Sequence, residues 1–216
     1  MSRSAVREPS SSAAPVPRHR EVETAAPASR GWWLMALAGG LLGMASTTTQ
    51  TVERIAWAKD PLGSSICDVN ASLSCTAVFG HWQSSALGIP NSLIGLAVFS
   101  LITSAALAGV TGSRLSRPFL ATMLGITLFM TSFVTWYLAE SAFDMKVLCL
   151  YCLGCGVFIT LAGVGLTRAT EGAGGLGTGP AGRLLTSMVR SGSDLIAWAG
   201  LFVIVAVMLV TGLVWL

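Results

Sequence analysis

The sequence predicts an all-α membrane protein, and three observations carry that reading. Of the 216 residues, 53% are hydrophobic and only 11% are charged, with a mean hydropathy of +0.70, a balance foreign to a water-soluble domain of this length. Five uncharged windows reach the roughly 20 largely apolar residues needed to cross a hydrocarbon core about 30 Å thick. The basic residues between those windows fall almost entirely on alternate segments, as they do in a chain that threads a bilayer.

The tail, residues 1–31, is rich in Pro, Ser, Ala and Arg, has no periodic apolar pattern, and is expected to be disordered. It is too long and too polar for the leading region of an ordinary signal peptide, so the first window, Trp32 to Thr51, is expected to be a retained anchor and first span. Its Trp32-Trp33 pair suits an interfacial anchor. A loop from Val52 to Pro90 follows. Pro90-Asn91-Ser92 is a start signal for the second span, Asn91 to Val110. The third window runs from Phe119 to Ala139, a short loop from Glu140 to Lys146 turns the chain, and the fourth runs from Val147 to Leu166. Residues 169–194 contain the glycine-rich run Gly172 to Pro180 and read as a flexible linker before the fifth window, Leu195 to Leu216. The core is therefore expected within 32–168.

Orientation follows from the basic residues. Ten of them, Arg3, Arg7, Arg18, Arg20, Arg30, Arg114, Arg117, Arg168, Arg183 and Arg190, fall on one side; Arg54, Lys59 and Lys146 fall on the other. Cytoplasmic loops retain such charge, so the N-terminus is expected inside and the long loop outside. That places Cys67, Cys75 and the start of the fourth window, with Cys149 and Cys152, in one oxidising compartment where disulfides persist and exchange.

Cys149-x-x-Cys152 sets two sulfurs about one helical turn apart near the positive end of a helix, where a thiolate is stabilised. Asp144 is a candidate cap for that helix. The spacing also serves metal sites, and Cys149, Cys152 and Cys155 form the alternative: a cysteine-based metal-binding or transport protein, though no histidine or carboxylate cluster completes a closed site. The second cysteine pair, on the same side and in a loop long enough to swing, favours redox chemistry.

The residues that carry a family likeness are Cys67-Asp68-Val69 through Ser74-Cys75, then Val78-Phe79, Asn91-Ser92 with Gly95, and Cys149-x-x-Cys152. In this order and spacing they resemble the vitamin K epoxide reductase family, from about Trp32 to Arg168. The resemblance implies a four-helix bundle around a quinone (menaquinone or ubiquinone), with one additional helix as in bacterial members. It also implies roles. Cys67 would meet the thiol of a partner, Cys75 would exchange with Cys149, and Cys152 would reduce the quinone. Asn91 would donate a hydrogen bond to a quinone carbonyl, with Phe79 and Trp82 covering the ring. The expected protein is a quinone-linked thiol oxidase of the bacterial cytoplasmic membrane that reoxidises a secreted thioredoxin-like (DsbA-like) protein and so drives disulfide formation.

The chain departs from the family pattern at three points. Gly156 stands where animal enzymes carry a substrate-contacting tyrosine, which speaks against epoxide reduction. Trp82 follows Cys75 one residue early. The chain stops at Leu216 with no thioredoxin-like domain, so the thiol donor is expected to be a separate protein. A DsbB-type oxidase also has two cysteine pairs, but in the reverse order. Cys155 reads as a small core hydrophobe and His81 as a solvated loop residue; Asn91 also suits a helix cap, and Asp68 either biases Cys67 or caps a turn.

Overall fold

The computed structural model describes residues 30–177 and 179–214, so the tail read as disordered lies outside the described residues up to position 29. The helices are α1 (Arg30–Lys59), α2 (Cys75–Phe79), α3 (Asn91–Val110), α4 (Arg117–Glu140), α5 (Leu150–Gly172), α6 (Pro180–Ser191) and α7 (Ser193–Val214). A 3-10 turn at Trp82–Ser85 follows α2, and a π-helical turn at Ser141–Met145 continues α4. Among the described residues the only β pairing consists of isolated bridges.

Four helical stretches are long and apolar enough to cross a membrane: Asn91–Val110, Arg117–Met145, Leu150–Gly172 and Ser193–Gly212. The chain is a multi-pass membrane protein. Helix α1 is not one of the four, although its 30 residues make it about 45 Å long at 1.5 Å per residue. Its second half carries Thr47, Thr48, Thr49, Gln50, Glu53 and Arg54, which dilute its apolar character. The apolar window had suggested an end at Thr51, but the helix runs on to Lys59. A charge ends a lipid-compatible window; it does not end a helix, and Glu and Arg are good helix formers.

Backbone contact between α1 and α5 organises the bundle. A Cβ added at Gly39 would meet the Ala162 nitrogen at 2.6 Å, and one at Gly165 would meet the Ala36 nitrogen at 2.5 Å. Small residues facing each other let two membrane helices approach until their main chains touch, which gains dispersion contact that bulkier side chains would block. At one end of the bundle Trp33 is buried, and its ring covers Gly109 of α3 where a side chain would overlap it. This tryptophan thus packs within the bundle rather than presenting its ring at the outer surface. Its neighbour Trp32 lies under the Arg168 guanidinium, 4.9 Å from the ring centroid.

Helix α7 docks on the outside of α4 and α5. Arg168 near the end of α5 donates from Nε and Nη2 to the two carboxylate oxygens of buried Asp194, at 2.8 and 2.7 Å. The bidentate pair places a carboxylate at the positive first turn of α7. The stretch read as a flexible linker contains a helix. Helix α5 continues through Gly172, and α6 starts at Pro180 and stops at Gly192, whose φ of 77° lies in the left-handed region that favours glycine.

The close approach has a measurable consequence. Gly39→Val and Gly165→Val are each expected to destabilise the protein by about 1–3 kcal/mol through overpacking. Gly125→Ala, in α4 with open space around it, is expected to be neutral or to stabilise by up to about 1 kcal/mol. Thermal unfolding in detergent, followed by far-UV circular dichroism, checks both.

Candidate functional site

The site begins with a tight loop. Asn70 Oδ1 accepts hydrogen bonds from the Ser72 and Leu73 N–H groups at 3.0 and 2.9 Å, folding the chain back on itself. Cys67 and Cys75 come together across this turn as a disulfide, with a Cα separation of 5.6 Å. Both are buried. Asp68 fastens the turn by accepting from Ser65 N–H (2.9 Å), Ser74 hydroxyl (2.7 Å), Thr76 N–H (3.1 Å) and Thr76 hydroxyl (2.8 Å). Partial burial alone would raise the Asp68 carboxyl; these four hydrogen bonds outweigh it and hold the group at about 2. Ser65 also anchors the loop to α1. Its hydroxyl donates to Glu53 and accepts from the Cys67 N–H at 3.1 Å.

The loop is then pinned to the start of α5. Ser74 N–H donates to the Leu148 carbonyl and Leu148 N–H to the Ser72 carbonyl, each at 2.9 Å, forming a parallel bridge centred on Leu73 and Leu148. Lys146, with φ of 57°, reverses the chain after the π-helical turn and brings Val147 and Leu148 into position. Cys75 stands two residues past Leu73 and Cys149 one residue past Leu148, and their sulfurs are 2.8 Å apart.

Cys149 is the N-cap of α5, with extended backbone angles and no side-chain cap bond. Asp144, expected to cap this helix, instead accepts from the Gln83 amide at 2.8 Å. Cys149, Cys152 and Cys155 are free thiols, all buried. The Cys149 thiol is lowered below its ordinary value, first by a hydrogen bond with the Cys152 thiol, then against burial by the N–H groups of Cys152 and Tyr151 and by Gln50.

A polar face of α1 forms the opposite wall. Gln50 Nε2 donates to Cys152 Sγ at 3.1 Å and lies 3.7 Å from Cys149 Sγ. One turn along, Arg54 donates to the Phe79 carbonyl (2.6 Å), Ser84 Oγ (2.7 Å) and Ser85 Oγ (3.3 Å), and its guanidinium faces the rings of Trp57 and Phe79 at 5.2 and 5.4 Å. A cavity of about 40 Å³ lies beside Cys152 and Cys155, walled by Gln50, Asn91, Met130, Phe133, Val134 and Tyr137 among others. Asn91 donates to the Gln83 carbonyl at 2.7 Å, which leaves its own Oδ1 buried without a partner.

Not every expected residue converges here. Phe79 is buried next to Arg54 and borders a small cleft shared with Gln50, Asn91 and Tyr137. Trp82 is 69% exposed and borders neither space, because the 3-10 turn that carries it buries Gln83 and Ser84 instead. His81 is exposed. Cys155 borders the cavity and donates to Ser46 Oγ at 3.7 Å. The sulfurs close enough to share a metal ion are those of Cys67, Cys75 and Cys149 rather than the Cys149, Cys152 and Cys155 set, and two of these three are joined in the disulfide. Gln50, Arg54 and Tyr137 escaped the sequence reading. The available signal was a glutamine and an arginine four residues apart at the end of an apolar window, where polar groups are functional candidates by default.

A bonded cysteine pair touching a second, unbonded pair at the end of a membrane bundle defines a membrane thiol–disulfide oxidoreductase. The chain belongs to the vitamin K epoxide reductase family, which matches residues 33–166, from α1 almost to the end of α5. No individual curated protein matches it.

The Asp68 contacts make the loop acid-sensitive. A carboxyl held near 2, against an ordinary 3.8, stabilises the folded loop above about 3.8 and loses that contribution as pH falls toward 2. Reduction of Cys67–Cys75 by a small phosphine, taken relative to a small-molecule disulfide at the same pH, is therefore expected to speed up as pH falls from about 4 to about 2. Asp68→Asn is expected to be fast already at neutral pH.

Proposed function

We propose that the protein is a quinone-linked thiol oxidase at the outer face of a bacterial cytoplasmic membrane. It crosses five times, with α1 as the first span and the N-terminus inside. It reoxidises a separate thioredoxin-like protein of the DsbA type, which introduces disulfides into exported proteins. The observation that carries the reading is the 2.8 Å contact between Cys75 and Cys149 sulfurs. Support for the orientation comes from Arg114, Arg117, Arg168, Arg183 and Arg190, which all flank helix ends remote from the cysteines.

The cysteines relay electron pairs. A thiolate of the partner attacks Cys67, Cys75 leaves, and the partner's second thiolate releases Cys67, so the partner gains a disulfide and the loop becomes a dithiol. Cys75 then attacks Cys149 of an oxidised boundary pair, and the electron pair passes to Cys152. Attack of Cys67 on Cys75 frees Cys149. The result is an oxidised loop beside a reduced boundary pair, the same distribution of bonds that the structure has. Cys67 is buried, so docking of the partner opens the loop to reach it, and the exposed Leu62 and Ile66 beside it in the chain offer apolar contact for that docking.

The residues around the cavity suit a quinone ring. Apolar Met130, Phe133 and Val134 offer flat contact, and Asn91 brings an unpartnered Oδ1 and a second amide hydrogen. A quinone bound there, menaquinone or ubiquinone, supplies a two-electron, two-proton acceptor. An apolar cavity that holds benzene is on the order of 150 Å³, so Met130 and Phe133 move to admit a ring. Cys155 packs against Ser46 and has no part in the relay. Trp82 stays outside the ring site.

Cys149→Ala and Cys152→Ala are expected to reduce quinone turnover to background with either a protein donor or a small membrane-permeant dithiol. Cys67→Ala and Cys75→Ala are expected to block the protein donor while sparing part of the dithiol-driven rate. Cys155→Ala is expected to retain most activity. Quinone absorbance with purified variants checks the set. Equal loss in the four relay variants under both donors contradicts the order, and stoichiometric zinc or copper with no thiol oxidation favours a metal-binding protein.

A further inference from the structure

We propose that Gln50 is a positioning residue for the internal exchange, its side-chain amide holding Cys152 as the leaving thiolate when Cys75 attacks Cys149. The inference rests on the relay proposed above. In that step the Cys149–Cys152 bond breaks, the Cys75–Cys149 bond forms, and the electron pair stays on the Cys152 sulfur. The charge then sits beside apolar Met130, Phe133 and Val134. An uncompensated anion among such groups is strongly disfavoured, and a hydrogen bond to it is worth more than one between neutral partners.

Gln50 meets that need from α1. It is itself 9% exposed, and its Nε2 is nearer to Cys152 Sγ, at 3.1 Å, than to Cys149 Sγ, at 3.7 Å. In the mixed disulfide Cys149 is bonded to Cys75, so the released charge falls on Cys152, the sulfur to which the amide is nearer. The other strong donors on this side are engaged elsewhere: Asn91 with the Gln83 carbonyl, Arg54 with Phe79, Ser84 and Ser85. One turn from Gln50, Ser46 of α1 donates to the Tyr151 carbonyl of α5 at 3.2 Å, which ties the two helices together beside the sulfurs. The arrangement also gives the exchange a direction. Cys75 gives up its charge to form the mixed disulfide, and the new charge appears where a donor already waits.

The experiment uses the full chain carrying Cys67→Ala, so that Cys75, once bonded to Cys149, cannot be released by Cys67. Mild oxidation to one disulfide per chain populates, among the pairings open to Cys75, Cys149, Cys152 and Cys155, the two isomers of interest, Cys75–Cys149 and Cys149–Cys152, which interconvert without net redox change. Acid quenching, alkylation and peptide mapping give their ratio. With Gln50 present, Cys75–Cys149 is expected to be readily detected. With Gln50→Met or Gln50→Glu the ratio of Cys75–Cys149 to Cys149–Cys152 is expected to fall about tenfold. The glutamate variant keeps the side chain's shape and serves where the methionine variant folds poorly.

A second readout is the pH midpoint for alkylation of Cys152 in the Cys75–Cys149 form, expected to rise in the order Gln, Met, Glu. Tyr137 of α4, Cys155 and Tyr151 of α5, and Glu53 and Arg54 of α1 also surround the thiols, and are the same in all three proteins. An unchanged ratio and an unchanged midpoint in both variants would overturn the role of Gln50 and leave the relay standing. Failure to find any Cys75–Cys149 species with Gln50 intact would overturn the relay itself, and the role of Gln50 with it.

Discussion

Two backbone hydrogen bonds hold the site together. The pairing of Ser72 and Ser74 with Leu148 lays the loop parallel to the approach of α5, and the following residue on each side is a cysteine. Parallel pairing fixes the register of the two strands, with Leu73 opposite Leu148, and so holds Cys75 within sulfur contact of Cys149. Everything else near the sulfurs serves this alignment. The Asn70 turn and the Asp68 contacts make the loop compact enough to pair. The Lys146 reversal delivers Leu148 extended and lets α5 begin at once, with Cys149 as its first capping residue. A sulfur contact across 74 residues of sequence thus rests on local turn chemistry at both of its ends.

Helix α1 is the second constraint. Its glycines bring it against α5, and its polar residues at Thr47, Gln50 and Arg54 occur at helical spacing, so one face meets the cavity, the thiols and the loop in succession. A helix used this way gives up apolar character. That explains why α1, the longest of the described helices, is not among the four that are apolar enough over their length to cross a membrane. Helix α7 lies beyond the part of the chain that matches the family. Among the described residues it lines neither cavity beside the thiols, though Val205, Met208 and Leu209 pack against the core that holds them, and it is held by the Arg168–Asp194 pair and by Trp198 over Gly163.

Much of the helical layout was legible in the sequence. Asn91–Val110 is both the expected window and the observed α3, because an apolar run bounded by Pro90 and a glycine turn leaves the chain little choice. The two cysteine pairs were visible as pairs. Their contact was not visible in spacing and came only through the family resemblance. The rest was hidden for specific reasons. Gln50 and Arg54 lay where an apolar window ends while the helix continues. Trp82 looked like a ring cover until its short helix turned Gln83 inward in its place. Asp144 looked like a cap, but the π-helical turn directs it to Gln83. The glycines between Gly172 and Pro180 gave no hint that α6 would follow immediately.

The central claim is that electrons taken from a partner's thiols leave through the boundary pair to a quinone. Its most direct test is an anaerobic titration of the purified full chain with a reduced thioredoxin-like donor and a membrane quinone, measuring donor disulfide and quinol together. The account predicts one quinol formed for each donor disulfide, with no product from either reactant alone. Donor oxidation without quinol, or quinol formation that leaves the donor's thiols intact, would contradict it.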